Sequence, residues 1–203
     1  MKRVAAILLA AGRSRRMGAF KPLLPFGDST VIESCLHSLH EASVDEIIVV
    51  AGHRADELQA HLKDASLKFA LNDDLNSEMS VSIARGVEQV SSGANALLIS
   101  LVDHPAVSAE TIRTIIDAWV DGAQFVQPEF KGRGGHPVLV DLKYRQDLLQ
   151  LDPQKGLRAL FDARRNQVRR LPVESPFVAR DMDTWEDYVQ LHRDAFGQPP
   201  RTV

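Results

Sequence analysis

The segment between Ala11 and Pro22 contains four cationic side chains and no acidic one: Arg13, Arg15, Arg16 and Lys21. Arginine offers a planar fork to two oxygens and lysine offers a compact point charge, so the set suits a polyphosphate. We expect Gly12 to adopt a positive φ and to let consecutive backbone N–H groups surround an anion. The alternative interpretation is a basic loop that only faces solvent.

Asp103 is the second candidate for chemistry, because it directly follows the apolar run Ala96–Val102. A carboxylate at the end of a buried strand is costly unless a cation compensates its charge. Mg²⁺ is the expected cation, since it takes one or two carboxylates together with substrate phosphates. The alternative is that Asp103 caps the turn before Pro105. Of the two later aspartates, Asp181 and Asp183, we expect one to face Asp103.

The elements that must position these residues alternate between strands and helices along the chain. Val4–Ala10 and Ala96–Val102 are continuous apolar runs, typical of strands buried on both faces. Thr30 and Glu33 form a capping-box pattern for a helix that ends near Glu41. The alternation predicts an α/β fold with a mostly parallel central sheet and helices on both faces, in which ligands bind beyond the carboxyl ends of the strands.

Further strands are expected at 47–51, 67–71, 124–127, 138–140 and 168–173, and further helices at 55–62, 108–120, 141–149, 155–163 and 185–195. Another helix is expected to begin near Ser77 or Met79, with Val87 and Val90 on its core face. Two regions keep two interpretations each. Ser80 and Ser82 either bind a ligand or cap a helix. The glycine-dense segment Pro128–Pro137 is either a hairpin or a mobile flap over an anionic substrate. The arginines between Arg164 and Arg170 are typical of a solvated face.

Length and composition narrow the classes of function. We expect a single domain over residues 1–203. The net charge of −3 argues against bulk nucleic-acid binding, and no apolar stretch approaches membrane-spanning length. Cys35 is the only cysteine and lies in an apolar context, so we expect a buried filler and a cytoplasmic protein. The two common glycine-rich nucleotide-binding patterns, G-x-x-x-x-G-K-[ST] and G-x-G-x-x-G, are absent from the basic loop.

The segment Leu9–Pro25, LAAGRSRRMGAFKPLLP, resembles the signature LAAGxSxRMGxxKxLLP of the MobA-like nucleotidyltransferases. Within that superfamily it looks most like the molybdenum cofactor cytidylyltransferase branch. Three later segments are similar to family motifs in the same order: LVDHP at 101–105, GRGGHPVL at 132–139 and DMDTWEDY at 181–188. Glu78 and His104 depart from the family pattern, which has a glycine and a methionine at these positions.

The resemblance implies a Rossmann-like nucleotidyltransferase fold and Mg²⁺-dependent transfer of a nucleoside monophosphate, with CTP favoured, to a phosphorylated acceptor, most readily molybdopterin. A molybdoenzyme that receives the product is an implied partner. The resemblance also assigns roles by position. Lys21, Arg16 and Asp103 would be catalytic, Asp103 and Asp183 would bind the metal, and Gly135 and His136 would border the acceptor. The nucleotide would contact Leu9, Ala10, Ala11, Gly12, Arg13, Ser14, Ser80 and Asp103.

Two other hypotheses remain at the level of sequence. The same chemistry could serve another acceptor, such as a sugar phosphate or an alcohol phosphate. Alternatively, the departures at Glu78 and His104 would fit a non-catalytic nucleotide-binding or cofactor-delivery module. The sequence does not select the base or the acceptor.

Overall fold

The computed structural model describes residues 2–14, 16–63, 66–74 and 76–201. The strands are β1 (Val4–Ala10), β2 (Pro25–Phe26), β3 (Ser29–Thr30), β4 (Glu46–Ala51), β5 (Lys68–Leu71), β6 (Ala96–Leu101), β7 (Phe125–Phe130), β8 (Arg133–Gly134), β9 (Val138–Asp141) and β10 (Val168–Pro172). The helices are α1 (Val31–Glu41), α2 (Ala55–His61), α3 (Met79–Gln89), α4 (Ala109–Val120), α5 (Arg145–Leu149), α6 (Gly156–Ala163) and α7 (Trp185–Phe196). No helix in these ranges has the length and apolar character needed to cross a bilayer.

The central sheet has the strand order β10-β7-β9-β6-β1-β4-β5, with β8 paired to β7. β1 lies between β4 and β6 and is parallel to both. β9 is antiparallel to its neighbours β6 and β7. Strands β2 and β3 form a separate small hairpin. The predicted mostly parallel sheet is therefore confirmed.

β1 is buried on both faces, as predicted, because helices cover both sides of the sheet. Alternate residues from Val4 to Ala10 pack into one apolar core together with α1, α2, α4 and α7. The intervening residues, including Ile7, pack into a second core with α3, α5 and α6. Successive side chains of a strand point to opposite faces, so one continuous apolar run supplies both cores.

Polar caps fix where three helices begin. The hydroxyl of Thr30 accepts a hydrogen bond from the backbone N–H of Glu33, whose carboxylate accepts from the N–H of Thr30, as predicted. Ser108 caps α4, and Thr184 forms a capping box at the start of α7. The helix predicted over 141–149 differs, because a 3-10 turn at Leu142–Tyr144 precedes α5.

The glycine-dense segment after β7 contains a hairpin, one of its two predicted interpretations. Glu129 pairs with Gly134, and Phe130 pairs with Arg133, in antiparallel register. The two turn residues, Lys131 and Gly132, both have positive φ values, of 49° and 81°. Positive φ at both central residues is the backbone conformation of a two-residue type I′ hairpin turn.

Candidate active site

A cleft of about 570 Å³ opens where the order of the central strands reverses. The chain runs from β1 outward to β4 and β5 and then returns to the other side of β1 as β6. Loops after β1 and β6 diverge at such a point and leave a crevice at the carboxyl ends of the strands. The cleft is lined by Leu9 of β1 and, from the basic loop, by Ala11, Gly12, Arg13, Ser14, Arg16, Lys21 and Pro22.

The basic loop is shaped by a tight turn at Ser14, whose carbonyl accepts hydrogen bonds from the N–H groups of Met17 (3.1 Å) and Gly18 (2.8 Å). The residues with positive φ are Ser14 (48°) and Gly18 (68°). The prediction that Gly12 has a positive φ is therefore wrong, because the chain reverses two residues later. A Cβ at Gly12 would meet no atom within 4 Å, so this position borders open space. Arg15 lies outside the described residues.

A second glycine lets the loops at this edge approach each other. A Cβ built on Gly52, directly after β4, would lie 2.8 Å from the carbonyl oxygen of Ala11. Any other residue would push the two loops apart, since real Cβ contacts are not this short. The absence of a side chain at Gly52 therefore allows Ala11 to approach the end of β4 closely.

Asp183 joins the two cations that the sequence proposed for phosphate binding. Its Oδ1 lies 2.9 Å from Nζ of Lys21, and its Oδ2 lies 2.5 Å from Nη2 of Arg16. The ammonium of Lys21 is well buried, with 7% of the residue exposed. A buried charge requires a partner, and Asp183 supplies it.

Asp103 and Asp183 are neighbours because the backbone N–H of Met182 donates to the carbonyl of Asp103 at 3.1 Å. Both carboxylates line the cleft. Asp181, the alternative candidate, is exposed and is not among the residues that line the cleft. The structure therefore places Asp183, of the two, beside Asp103.

The carboxylate of Asp103 contacts a histidine, with Oδ1 2.8 Å from Nδ1 of His104. Burial acts to raise the pKa of Asp103, but the hydrogen bond and charge of His104, together with the charges of Lys21 and His136, outweigh it and lower this pKa. Asp103 is thus a carboxylate over a wide pH range. The sequence left open that Asp103 caps the turn before Pro105; in the structure its carboxylate contacts His104 instead.

His136 continues this chain of contacts, since its ring centroid lies 5.6 Å from that of His104. Burial and then the charge of His104 lower the pKa of His136 to about 4, so its ring is neutral at physiological pH. The backbone N–H of His136 donates to the carbonyl of Val178 at 2.8 Å. A Cβ on Gly135 would lie 2.1 Å from the same carbonyl oxygen, so only glycine fits there. Gly135 positions His136 and lines neither cleft described here.

The other end of the cleft is organised by Asn72, which sequence reasoning treated only as part of an irregular loop. Asn72 is buried, and its Nδ2 donates to Oγ of Ser77 (2.9 Å) and Oγ of Ser82 (2.7 Å). All three line the cleft. The position of Asn72 in the sequence could have identified it as a site residue, because it directly follows β5 at the same edge of the sheet.

Ser80 and Ala10 do not line the cleft, although both were expected beside the nucleotide. Ser80 is buried, and its Oγ has no hydrogen-bond partner among the described residues. Ser82 occupies the cleft instead, because positions two residues apart on a helix differ by about 200°. Neither serine caps α3, which begins after Glu78 without a side-chain cap. Ala10 points into the core beneath the loop.

Asp103 and Asp183 are neighbouring carboxylates in the first cleft, which Asp74 and Glu78 also line. In the described ranges, no three His, Cys, Asp or Glu side chains form a group that could hold a metal ion. A pair of carboxylates in an open cleft suits a hard cation that takes its remaining ligands from phosphates and water. The donor set at Asp103 and Asp183 therefore fits Mg²⁺ and does not resemble a closed zinc site.

A domain family described as MobA-like NTP transferase matches residues 6–169 of this chain. A nicotine blue oxidoreductase from Paenarthrobacter nicotinovorans is 25% identical over 197 residues, which cover 93% of this chain and 96% of that protein. A molybdenum cofactor cytidylyltransferase from Escherichia coli (strain K12) is 26% identical over 191 residues, which cover 93% of this chain and 95% of that protein.

The crystal structure of Rv0371c from Mycobacterium tuberculosis superposes with a TM-score of 0.86 at 29% identity, covering 95% of this chain and 99% of that one. A structure of the same protein in complex with manganese has a TM-score of 0.82 at 27% identity, covering 95% and 98%. The family match extends from the first strand to the last strand of the sheet. Together with the cleft at the reversal of strand order, these findings show that the chain belongs to the MobA-like NTP transferase family and is a nucleotidyltransferase.

Proposed function

We propose that this protein transfers CMP from CTP to a phosphorylated acceptor, most readily molybdopterin, with release of pyrophosphate and dependence on Mg²⁺. One observation carries the proposal: Asp183 reaches across from the C-terminal segment to Lys21 and Arg16, while its neighbour Met182 is bonded to Asp103. Two carboxylates and two cations thus meet at one end of a single cleft. This is the combination that a triphosphate and a divalent cation require.

Asp103 and Asp183 would hold the metal, since their oxygens are the donors that Mg²⁺ prefers. Bound there, Mg²⁺ would neutralise charge on the phosphates of the substrate. The lowered pKa of Asp103 keeps this ligand ionised. The manganese complex of Rv0371c supports a divalent cation in a related protein.

Lys21 and Arg16 would bind the phosphates. Both are paired with Asp183, so an incoming triphosphate competes with this carboxylate for the same donors. Lys21 is buried, and a charge acts more strongly where water is excluded. We assign to Lys21 the stabilisation of the additional negative charge that develops on the phosphorus under attack.

The nucleoside would lie at the end of the cleft that Asn72 organises. Ser77 and Ser82 present hydroxyls there, and the backbone of Ala11 and Gly12 borders the same space. The preference for CTP is supported by the sequence LAAG at Leu9–Gly12 and by the cytidylyltransferase among the relatives. At 26% identity this support is a reason to test CTP first.

The acceptor would occupy a second cleft of about 900 Å³, which shares Met79 with the first. His136 lines this second cleft and contacts His104, the partner of Asp103. An acceptor phosphate beside His136 would therefore approach the reacting end of the nucleotide. Sugar phosphates and alcohol phosphates remain candidate acceptors, and a molybdoenzyme is the proposed recipient of a molybdopterin product.

The test is a two-part assay of the purified protein. Thermal unfolding is measured with CTP, GTP, ATP and UTP, each with and without Mg²⁺, because a ligand that binds the folded state raises the midpoint. Pyrophosphate release is then measured from each nucleotide with molybdopterin and with a panel of sugar and alcohol phosphates. CTP with molybdopterin should give the fastest release. Absence of release from every pair, with the fold intact, would contradict the proposal.

A further inference from the structure

The second cleft carries an unusual concentration of positive charge. Its cationic lining residues are Arg133, Lys155, Arg158, Arg165 and Arg170. Asp162 is the acidic residue among the side chains that line it. The whole chain has a net charge of −3, so the charge of this surface is opposite in sign to that of the whole chain. A concave cationic surface concentrates anions more effectively than a convex one.

Two of these cations are available to a ligand. Three are paired with acidic side chains: Arg170 with Glu129 at 3.2 Å, Arg158 with Asp162 at 3.7 Å, and Lys155 with Asp152 at 3.4 Å. By contrast, neither Arg133 nor Arg165 has an ion pair with a carboxylate of the described residues. A guanidinium without a protein partner can donate two parallel hydrogen bonds to a single oxyanion.

The same cleft has an apolar floor. Leu157 and Phe161 from α6, together with Val138 from β9, line it next to the arginines. Phe161 is held in place by an edge-to-face contact with Phe125, with ring centroids 5.5 Å apart. A ligand that fills this cleft therefore has an apolar or planar part as well as negative charge.

The cations of the second cleft belong to elements that lie farther across the sheet than β6, which Asp103 follows. Asp103 follows β6, and Arg170 lies on β10, three strand positions away in the order β10-β7-β9-β6. At the usual spacing of neighbouring strands this separation is about 14 Å. A ligand that extends from Asp103 into the second cleft would therefore place different groups beside Asp103 and beside these cations.

We infer that the acceptor carries a second anionic group, joined through an apolar or planar body to the phosphate that reacts. Arg133 and Arg165 bind this second group, and the floor formed by Leu157 and Phe161 contacts the body between the two. The inference rests on the proposed function in taking the occupant of this cleft to be the acceptor. It narrows the acceptor from any phosphorylated small molecule to one with two separated negative groups.

The experiment compares two probes that differ by one charge: 1-naphthyl phosphate, and the same compound with a sulfonate on the far ring. Each is titrated calorimetrically into the protein at constant ionic strength, with excess CTP to occupy the first cleft and a chelator to prevent turnover. The wild-type protein should bind the two-anion probe at least tenfold more tightly, because two guanidinium contacts are added. Equal affinities would overturn the inference.

Matched variants locate the effect. Arg133→Gln with Arg165→Gln should remove most of the difference between the probes, so that both bind the double variant with similar affinity. Arg169→Gln is the control, because Arg169 precedes Arg170 on β10 and its side chain instead donates to the carbonyl of Ala118. An equal loss in the control and in the double variant would overturn the inference. Retention of the full difference in the double variant would do so as well.

Failure of this inference and failure of the proposed function give different results. If CTP does not bind, the nucleotide part of the proposed function fails, whereas the comparison of the probes still reports on the second cleft. If CTP binds and pyrophosphate is released with a singly charged acceptor, but the probes bind equally, the inference alone fails.

Discussion

The two clefts both contain cations, but they differ in how those cations are compensated. In the first cleft, Lys21 and Arg16 are already paired with Asp183. In the second, Arg133 and Arg165 have no such partner among the described residues. When a ligand binds, the cations of the first cleft therefore exchange a carboxylate of the protein for an anion of the ligand. The unpaired arginines of the second cleft gain an anionic partner that they did not have. The difference indicates a reacting site that depends on precise positions and a holding site that depends on charge.

The positions of the clefts in the fold agree with this division. The first lies at the ends of β1 and β6, in the middle of the sheet, where the backbone is held on both sides. The second uses α6 and the edge strand β10. An edge strand is paired on one side only, so the backbone of β10 is less constrained than the ends of β1 and β6. The predictions below test this comparison, from the largest expected effect to the smallest.

Asp103→Asn should lower the rate of pyrophosphate release by roughly a hundredfold to a thousandfold, because it removes a charge at the reacting end of the nucleotide. The measurement is kcat at saturating CTP and acceptor, with circular dichroism to confirm the fold. Asp181→Asn is the control, since Asp181 is exposed two residues before Asp183. A similar loss in both variants would mean that the position of Asp103 in the first cleft has no special role.

Asp183→Asn should separate binding from turnover. Without its carboxylate, Lys21 and Arg16 are released, so CTP measured without metal should bind about fivefold more tightly, equivalent to about 1 kcal/mol for one exposed ion pair. Turnover with Mg²⁺ should fall about a hundredfold, because one proposed metal ligand is lost. Calorimetric titration with and without Mg²⁺ distinguishes the two effects. Weaker binding of CTP in both conditions would show that Asp183 does not restrain the cations.

Arg165→Gln should act on the second cleft alone. The KM for the acceptor is expected to rise about tenfold, with kcat within twofold of the wild type, because the lost contact is made equally in the ground state and in the transition state. The KM for CTP should not change. Steady-state kinetics with each substrate varied in turn measure this, and a fall in kcat comparable to that of Asp103→Asn would erase the proposed distinction between the clefts.

Thr184→Ala should have the smallest effect, because it removes the cap of α7 next to Asp183. Loss of a helix cap costs about 1 kcal/mol of stability. The hydrogen bond from the Thr184 side chain is the main cause that lowers the pKa of Asp187, which outweighs the opposite effect of burial. A carboxyl whose pKa is lowered on folding stabilises the protein above its unfolded pKa, near 3.9, and this contribution disappears as the pH falls through the lower folded value.

Urea unfolding at several pH values checks this expectation. The difference in stability between wild type and Thr184→Ala should be full at pH 7 and should shrink below about pH 4. Binding of the naphthyl probes in the second cleft should be unchanged. An undiminished difference at acidic pH would show that the charge of Asp187 contributes nothing to the cap.

Much of the fold could be predicted because its signals are local. Val4–Ala10 is apolar at every position, which already places it inside a sheet covered on both faces. The hydroxyl of Thr30 and the carboxylate of Glu33 lie three residues apart, the spacing of a capping box. Such patterns depend on neighbours along the chain and need no knowledge of its path.

The parts that could not be predicted depend on contacts between distant segments. Lys21 and Asp183 are 162 residues apart, so no local pattern pairs them. Which of Ser80 and Ser82 faces the cleft depends on how α3 is rotated against the sheet. The arginines near Arg165 look like a solvated face in one dimension, and only the packing of α6 beside β10 shows that some of them line a cleft.

By itself, the sequence determined the strands, the capped helices and the basic loop with its acidic counterparts, because periodicity, hydrogen-bonding side chains and charge act over a few residues. Only the tertiary structure decided that Asp183 holds Lys21 and Arg16, that Gly12 is not the turning residue, and that five cations surround an apolar floor. The physical reason is that these features arise from the relative placement of elements, which the whole of the packed core fixes at once.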